Sequence, residues 1–141
     1  MTATVIATPH WIAALLAAPW TWRLVRVALV SAYLIGGVNK LLDFAGAVAE
    51  QERYGLRPAW LWAALAIVVE IGGSLLVIAG QLVWLGAGGL GVLTAVAMLV
   101  ANNFWSMKGQ DRLTALNGFF ERLGLIAGFV LVSIMAEEKG P

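Results

Sequence analysis

Apolar residues in this chain gather into four runs of about twenty, separated by polar segments of unequal length. The runs cover about residues 22–42, 59–79, 83–103 and 118–136. A helix needs roughly 20 mostly apolar residues to cross the hydrocarbon core of a bilayer, so each run predicts a membrane-spanning helix. Between the second and third lie only Gly80, Gln81 and Leu82. So short a link makes these two helices an antiparallel hairpin, with Gly80 as the helix stop. The links at 43–58 and 104–117 are longer and polar. The predicted fold is all-α: an antiparallel, integral membrane four-helix bundle forming one domain over 22–136, with a tail at 137–141. Residues 1–21 precede it. There the apolar run Trp11–Ala18 is too short to span and is read as a short helix lying in the interface, ended by Pro19. A loosely ordered tail is the alternative. A signal peptide fits less well, because no Lys or Arg precedes the run.

Tryptophan placement agrees with these boundaries. Trp20 and Trp22 open the first span, Trp60 and Trp62 the second and Trp84 the third, while Trp105 follows the end of the third. The indole ring is apolar with one N–H, which suits the membrane–water interface. Composition carries the same message. The chain is 61% hydrophobic and 12% charged, against about 45–50% and about 25% in an ordinary soluble domain. A soluble domain, a disordered chain and a disulfide scaffold are all excluded. With no cysteine, the chain has no thiol–disulfide, iron–sulfur or thiolate–zinc chemistry of its own. With one histidine, His10, it has no bis-histidine haem site. A net charge of +1 without a basic patch excludes nucleic acid as a partner. The partner that composition requires is the lipid bilayer. Lys40, Arg53, Arg57, Lys108, Arg112 and Arg122 fall on one side of the predicted bundle, and Arg23, Arg26 and Lys139 on the other. That balance favours cytoplasmic long loops and both termini outside, in a multi-pass cell-membrane protein.

The most informative single residue is Glu70, eleven residues into the second span. That puts it roughly 16 Å deep, near the midplane. A carboxyl at that depth faces the bundle interior with a partner or is protonated, and serves a ligand, a proton or helix register. Lys40, with Asn39 and Asp43, closes the first span. It can snorkel to the interface or reach inward, and the residues alone favour snorkelling. Asn102 and Trp105 end the third span; Asn117 and Arg122 begin the fourth. Arg122 either marks the interface or turns inward toward Glu70. Together these side chains outline a polar pocket open to one face, floored by Glu70 and rimmed by Lys40, Asn102, Trp105 and Asn117. It holds no nucleophile–base pair and no metal-ligand spacing, so no catalytic residue and no metal site are assigned. A small headgroup, a quinone or a carboxylic acid would suit it. Glycines cluster at Gly36-Gly37, Gly72-Gly73, Gly86 to Gly91 and Gly124/Gly128. They are read as close helix packing, with a homodimer face at Gly86–Gly91 as the minor reading.

The order of these motifs resembles the DoxX family of small four-helix bacterial membrane proteins. The resemblance runs from about residue 23 to 132. It rests on Arg23-Leu24-Val25-Arg26, Gly36-Gly37-Val38-Asn39-Lys40-Leu41-Leu42-Asp43, Tyr54-Gly55-Leu56-Arg57-Pro58, Glu70-Ile71-Gly72-Gly73-Ser74-Leu75-Leu76, Asn103-Phe104-Trp105 and Phe119-Phe120-Glu121-Arg122-Leu123. Many members carry Lys–Asn where this chain has Glu121–Arg122, and an arginine in the short link between helices two and three. Some members are membrane subunits of oxidoreductase systems, including thiosulfate:quinone oxidoreductase. The resemblance therefore implies a non-catalytic membrane subunit of a redox complex, with oxidoreductase subunits as partners and a quinone as the associated cofactor. The alternatives are a small proton-coupled carrier using Glu70, and a scaffold or assembly factor without activity of its own.

Overall fold

The computed structural model describes residues 7–139. All regular structure among them is helical. The six α-helices are α1 (His10–Ala17), α2 (Pro19–Leu42), α3 (Phe44–Arg53), α4 (Ala59–Ala79), α5 (Val83–Ala101) and α6 (Gly109–Lys139), with a single 3-10 turn, Phe104–Ser106, before α6. Four of them, α2, α4, α5 and α6, are long and apolar enough to cross a membrane. The apolar run near the N-terminus is the helix α1. Pro19 starts α2, where its missing N–H would have had no partner in any case. Gly80 stops α4 in the left-handed conformation, φ 75°, and donates back to the Leu76 and Val77 carbonyls. Leu82 is also left-handed, φ 48°. The hairpin between α4 and α5 therefore needs a second residue in a conformation that disfavours side chains.

Two elements extend the expected pattern. The link at 43–58 contains the ten-residue helix α3, started by Asp43, whose carboxylate accepts the Gly46 N–H at 3.1 Å. Such a cap typically stabilises a helix by about 1 kcal/mol. The fourth spanning helix was expected at 118–136 but begins at Gly109. Its first turns carry polar residues, with Asp111 in the first turn where it complements the helix dipole. Apolar content alone could not reveal this stretch, because a helix leaving the membrane stops needing an apolar surface.

The bundle is ordered α2–α4–α5–α6, each helix packed on the next, and α2 and α6 meet over a short stretch only. Its central member, α4, buries Ala59, Ala63, Ala66, Ile67, Glu70, Gly73, Ser74 and Val77. These residues recur every three or four positions and most are small. Apolar side chains gain nothing by leaving lipid for one another, so close backbone approach and van der Waals contact hold such helices together. Two glycines set the approach. A Cβ on Gly86 would lie 2.6 Å from the Gly73 carbonyl oxygen, across the α4–α5 contact. A Cβ on Gly37 would lie 2.8 Å from Ile71 Cγ1 and 3.0 Å from Glu70 Cβ, across the α2–α4 contact. Ser74 adds a hydrogen bond to the Val30 carbonyl at 3.4 Å. The remaining core gathers around Val30, Val77, Val83, Leu90, Phe129 and Val132. Outward, Leu42, Val68, Leu99 and Leu131 are all strongly exposed, as lipid contact requires.

The Gly73–Gly86 contact generates a prediction. Gly86→Val is expected to destabilise the detergent-solubilised protein by about 1–3 kcal/mol, the usual cost of overpacking. Gly124→Ala is expected to be neutral or slightly stabilising, since nothing lies within 4 Å of the added methyl group and alanine is the better helix former. Thermal unfolding followed by circular dichroism checks both.

Candidate functional site

The site is built around a carboxyl in the middle of a spanning helix. Glu70 is 7% exposed. Lys40 Nζ donates to both of its carboxylate oxygens, at 2.8 and 2.9 Å, the one ion pair among the described residues. Helix geometry explains why Lys40 turns inward rather than snorkelling. Side chains on a helix lean toward its N-terminus. Lys40 lies near the C-terminal end of α2, so its stem leans back along the bundle toward the membrane interior. Asp43, the nearby acid in sequence, caps α3 instead. Gly36 and Gly37 stand one turn before Lys40, and a Cβ on Gly36 would lie 3.9 Å from both Glu70 carboxylate oxygens. The bare backbone of α2 thus lets α4 come close enough for the pair to form.

Beside the pair runs a second polar contact. Tyr33 Oη lies 2.6 Å from Thr94 Oγ1, and Thr94 donates to the Leu90 carbonyl at 2.7 Å. With the threonine proton so engaged, Tyr33 is the donor, and its oxygen retains lone pairs. Tyr33 is further fixed edge-on against Phe129, ring centroids 5.4 Å apart. Arg122 makes no ion pair with Glu70. It donates to Asn102 Oδ1 and, at 3.4 Å, to the Ala97 carbonyl, which ties the middle of α6 to the end of α5.

Lys40, Glu70, Tyr33, Thr94 and Arg122 all line one cavity of about 870 Å³. Its lining is otherwise largely apolar, with Val69 and small residues such as Ala66, Gly88, Gly89 and Ala97, and it opens to the outside as a groove where Leu65, Leu85 and Val92 are exposed. Glu50 and Gln51 of α3 and Tyr54 just beyond it reach it at one end and Trp84 at the other, so it runs much of the length of the bundle. Asn102 touches the site only through Arg122. Asn39, Trp105 and Asn117 are exposed and lie outside the cavity lining. Trp105 joins an aromatic cluster with Phe104 and Phe119 instead.

Sequence reasoning did not single out Thr94 or α3. Thr94 had a signal, being the one hydroxyl in an otherwise apolar α5. α3 had none, since its polar residues read as a solvated link. In sequence Arg26 counts only toward the charge balance beside the first span, yet it is 3% exposed.

Three comparisons with known proteins bear on this arrangement. The DoxX family profile matches residues 21–103, which takes in α2, α3, α4 and α5 and both members of the Lys40–Glu70 pair. The Escherichia coli (strain K12) inner membrane protein YphA is 25% identical over 122 residues, 84% of each chain. No solved structure matches the chain. With most of its length under the family profile and four helices apolar enough to cross a bilayer, this chain belongs to the DoxX family.

Proposed function

We propose that this protein is a non-catalytic membrane subunit of a redox complex, and that its cavity receives the head of a quinone. The observation that carries the proposal is the Lys40–Glu70 pair set in the wall of an otherwise apolar cavity of about 870 Å³. Ligand pockets commonly enclose about 300–1,000 Å³, with mostly apolar walls and a few convergent polar groups. The donor set suits a quinone head. An ammonium carries three N–H donors; two are given to Glu70, leaving one for a carbonyl oxygen. Tyr33 Oη and the Glu70 carboxylate supply acceptors for the hydroxyls of the reduced form. The apolar walls accept a hydrocarbon tail. A bound quinone would supply electron and proton carriage; the residues of this chain hold and orient it. With no cysteine and one histidine in the sequence, the electron donor belongs to a partner oxidoreductase subunit. The E. coli relative is an inner membrane protein by name, and we place this chain in the same membrane. Lys40 turns inward to Glu70, which leaves Arg53, Arg57, Lys108 and Arg112 on the loop side against Arg23, Arg26 and Lys139 on the other. By the positive-inside rule the loop side is then cytoplasmic.

Trp62 and Trp84 line the cavity, so a quinone bound there quenches their fluorescence. Titrating detergent-solubilised protein with a short-chain ubiquinone or menaquinone analogue is expected to give saturable quenching. Lys40→Ala should weaken binding at least tenfold, about 1.4 kcal/mol. Quenching that never saturates, or that Lys40→Ala leaves unchanged, overturns the proposal. Quinone-independent, proton-coupled substrate uptake into proteoliposomes, abolished by Glu70→Gln, would move the protein to the carrier class instead.

The pair also has a structural cost that can be measured apart from binding. Lys40→Met is expected to destabilise the protein by about 3 kcal/mol, because it strands the buried Glu70 charge, and Glu70→Met by less, because the lysine, 24% exposed, can turn to the interface. The double variant Lys40→Met/Glu70→Met is expected to recover most of the Lys40→Met loss. Thermal unfolding of the three variants in one detergent tests the non-additivity.

A further inference from the structure

At the opposite end of the bundle from the Lys40–Glu70 pair lies a buried arginine that nothing in the proposed function uses. Arg26 stands on the inward stripe of α2 with Trp22, Val30 and Tyr33, at spacings of three and four residues. It is 3% exposed. Its Nε and Nη1 atoms have no hydrogen-bond partner, and neither does the indole Nε1 of Trp22. The guanidinium carbon sits 5.1 Å from the centre of the Trp22 ring. Three buried donors, two of them on one positively charged guanidinium, therefore meet at one place without an acceptor. Buried donors are almost always satisfied, and an unpaired charge among apolar neighbours is more costly still. The chain offers no remedy among its described residues: Glu137 and Glu138, near the end of α6 at this end of the bundle, are both exposed, and neither pairs with Arg26.

The position of the cluster says what completes it. Trp22 is the fourth residue of α2, about 5 Å along the helix from its start, and the Arg26 side chain leans toward that start. The cluster thus lies at the headgroup level of the bilayer rather than at its centre. Arg23, exposed one turn earlier, adds a second positive charge. The helix α1, which packs on α2 and buries none of its residues, presents Trp11, Leu15 and Leu16 outward, as a segment lying against lipid would. We propose that Arg26 and Trp22 form a phosphate site, filled by the headgroup phosphate of a membrane phospholipid. A phosphodiester supplies several acceptor oxygens and a negative charge. Guanidinium is the side chain best matched to it, and the indole N–H adds a neutral donor.

Native mass spectrometry of the detergent-solubilised protein tests this with two probes of equal chain length: phosphatidylglycerol, and diacylglycerol, which lacks the phosphate. Wild-type protein is expected to retain phosphatidylglycerol at least tenfold better than diacylglycerol. Arg26→Gln should abolish that preference, and Arg26→Lys should keep most of it. Circular dichroism establishes that each variant is folded. Should Arg26→Gln fail to fold, Trp22→Phe is the second variant, expected to reduce the preference severalfold. Equal retention of both lipids, with inorganic phosphate bound in an Arg26-dependent way, would keep the phosphate site but make its source a soluble anion. Equal retention with no phosphate binding, or a preference that survives Arg26→Gln, overturns the proposal. In that case Arg26 serves only to pack Trp22.

Discussion

A carboxyl near the middle of a membrane-spanning helix is the constraint on which most of this structure depends. Glu70 cannot reach water from the buried face of α4, and hydrocarbon offers it nothing. The bundle supplies Lys40, and supplying it dictates how α2 and α4 pack. Gly36 and Gly37 remove the side chains that would hold the two helices apart. The lean of helical side chains toward the N-terminus carries the lysine stem inward. Asp43, which would otherwise compete for the lysine, is committed to the first turn of α3. One ion pair thereby connects the register of two spanning helices to the position of a third, shorter helix on the same side of the membrane.

The cavity follows from the same economy of small residues. Close packing needs Gly73 and Gly86 where α4 crosses α5. Farther along the same two helices, Ala66, Gly88, Gly89 and Ala97 remove volume without bringing another backbone in to fill it. In water such a gap would tend to collapse. In a bilayer there is little hydrophobic pressure to close it, because lipid tails solvate the surrounding leucines and valines as well as protein does. The gap persists as a long apolar space with its polar groups, Lys40, Glu70, Tyr33, Thr94 and Arg122, on the walls. A bundle whose α2 and α6 touched along their whole length would have less room for it.

Polar groups are distributed with a clear asymmetry. On the loop side, Lys40 and Glu70 satisfy one another, and Arg122 is satisfied by Asn102 and the Ala97 carbonyl. On the side of the termini, Arg26 and Trp22 hold donors with no acceptor. The contrast argues for two chemically different ends: one where the protein completes its own polar network, and one where it leaves donors for a molecule from its surroundings.

Much of this was legible in the order of residues along the chain. The four spans, the hairpin at Gly80, the interfacial tryptophans and the need for Glu70 to have a partner all follow from solvent alone, since a bilayer tolerates apolar helices of a certain length and little else. The choice of partner did not follow. Whether Lys40 pairs with Glu70 or snorkels, whether Arg122 reaches Glu70 or Asn102, and whether Asp43 pairs or caps are decisions between groups of similar chemistry. They turn on a few ångströms of helix approach that no linear pattern encodes. The same holds for Asn39, Trp105 and Asn117, which sit close to the site along the chain and outside it in space. Arg26 reads as one more charge beside the first span until three-dimensional packing covers it, because burial belongs to the neighbours a residue meets and not to the residue.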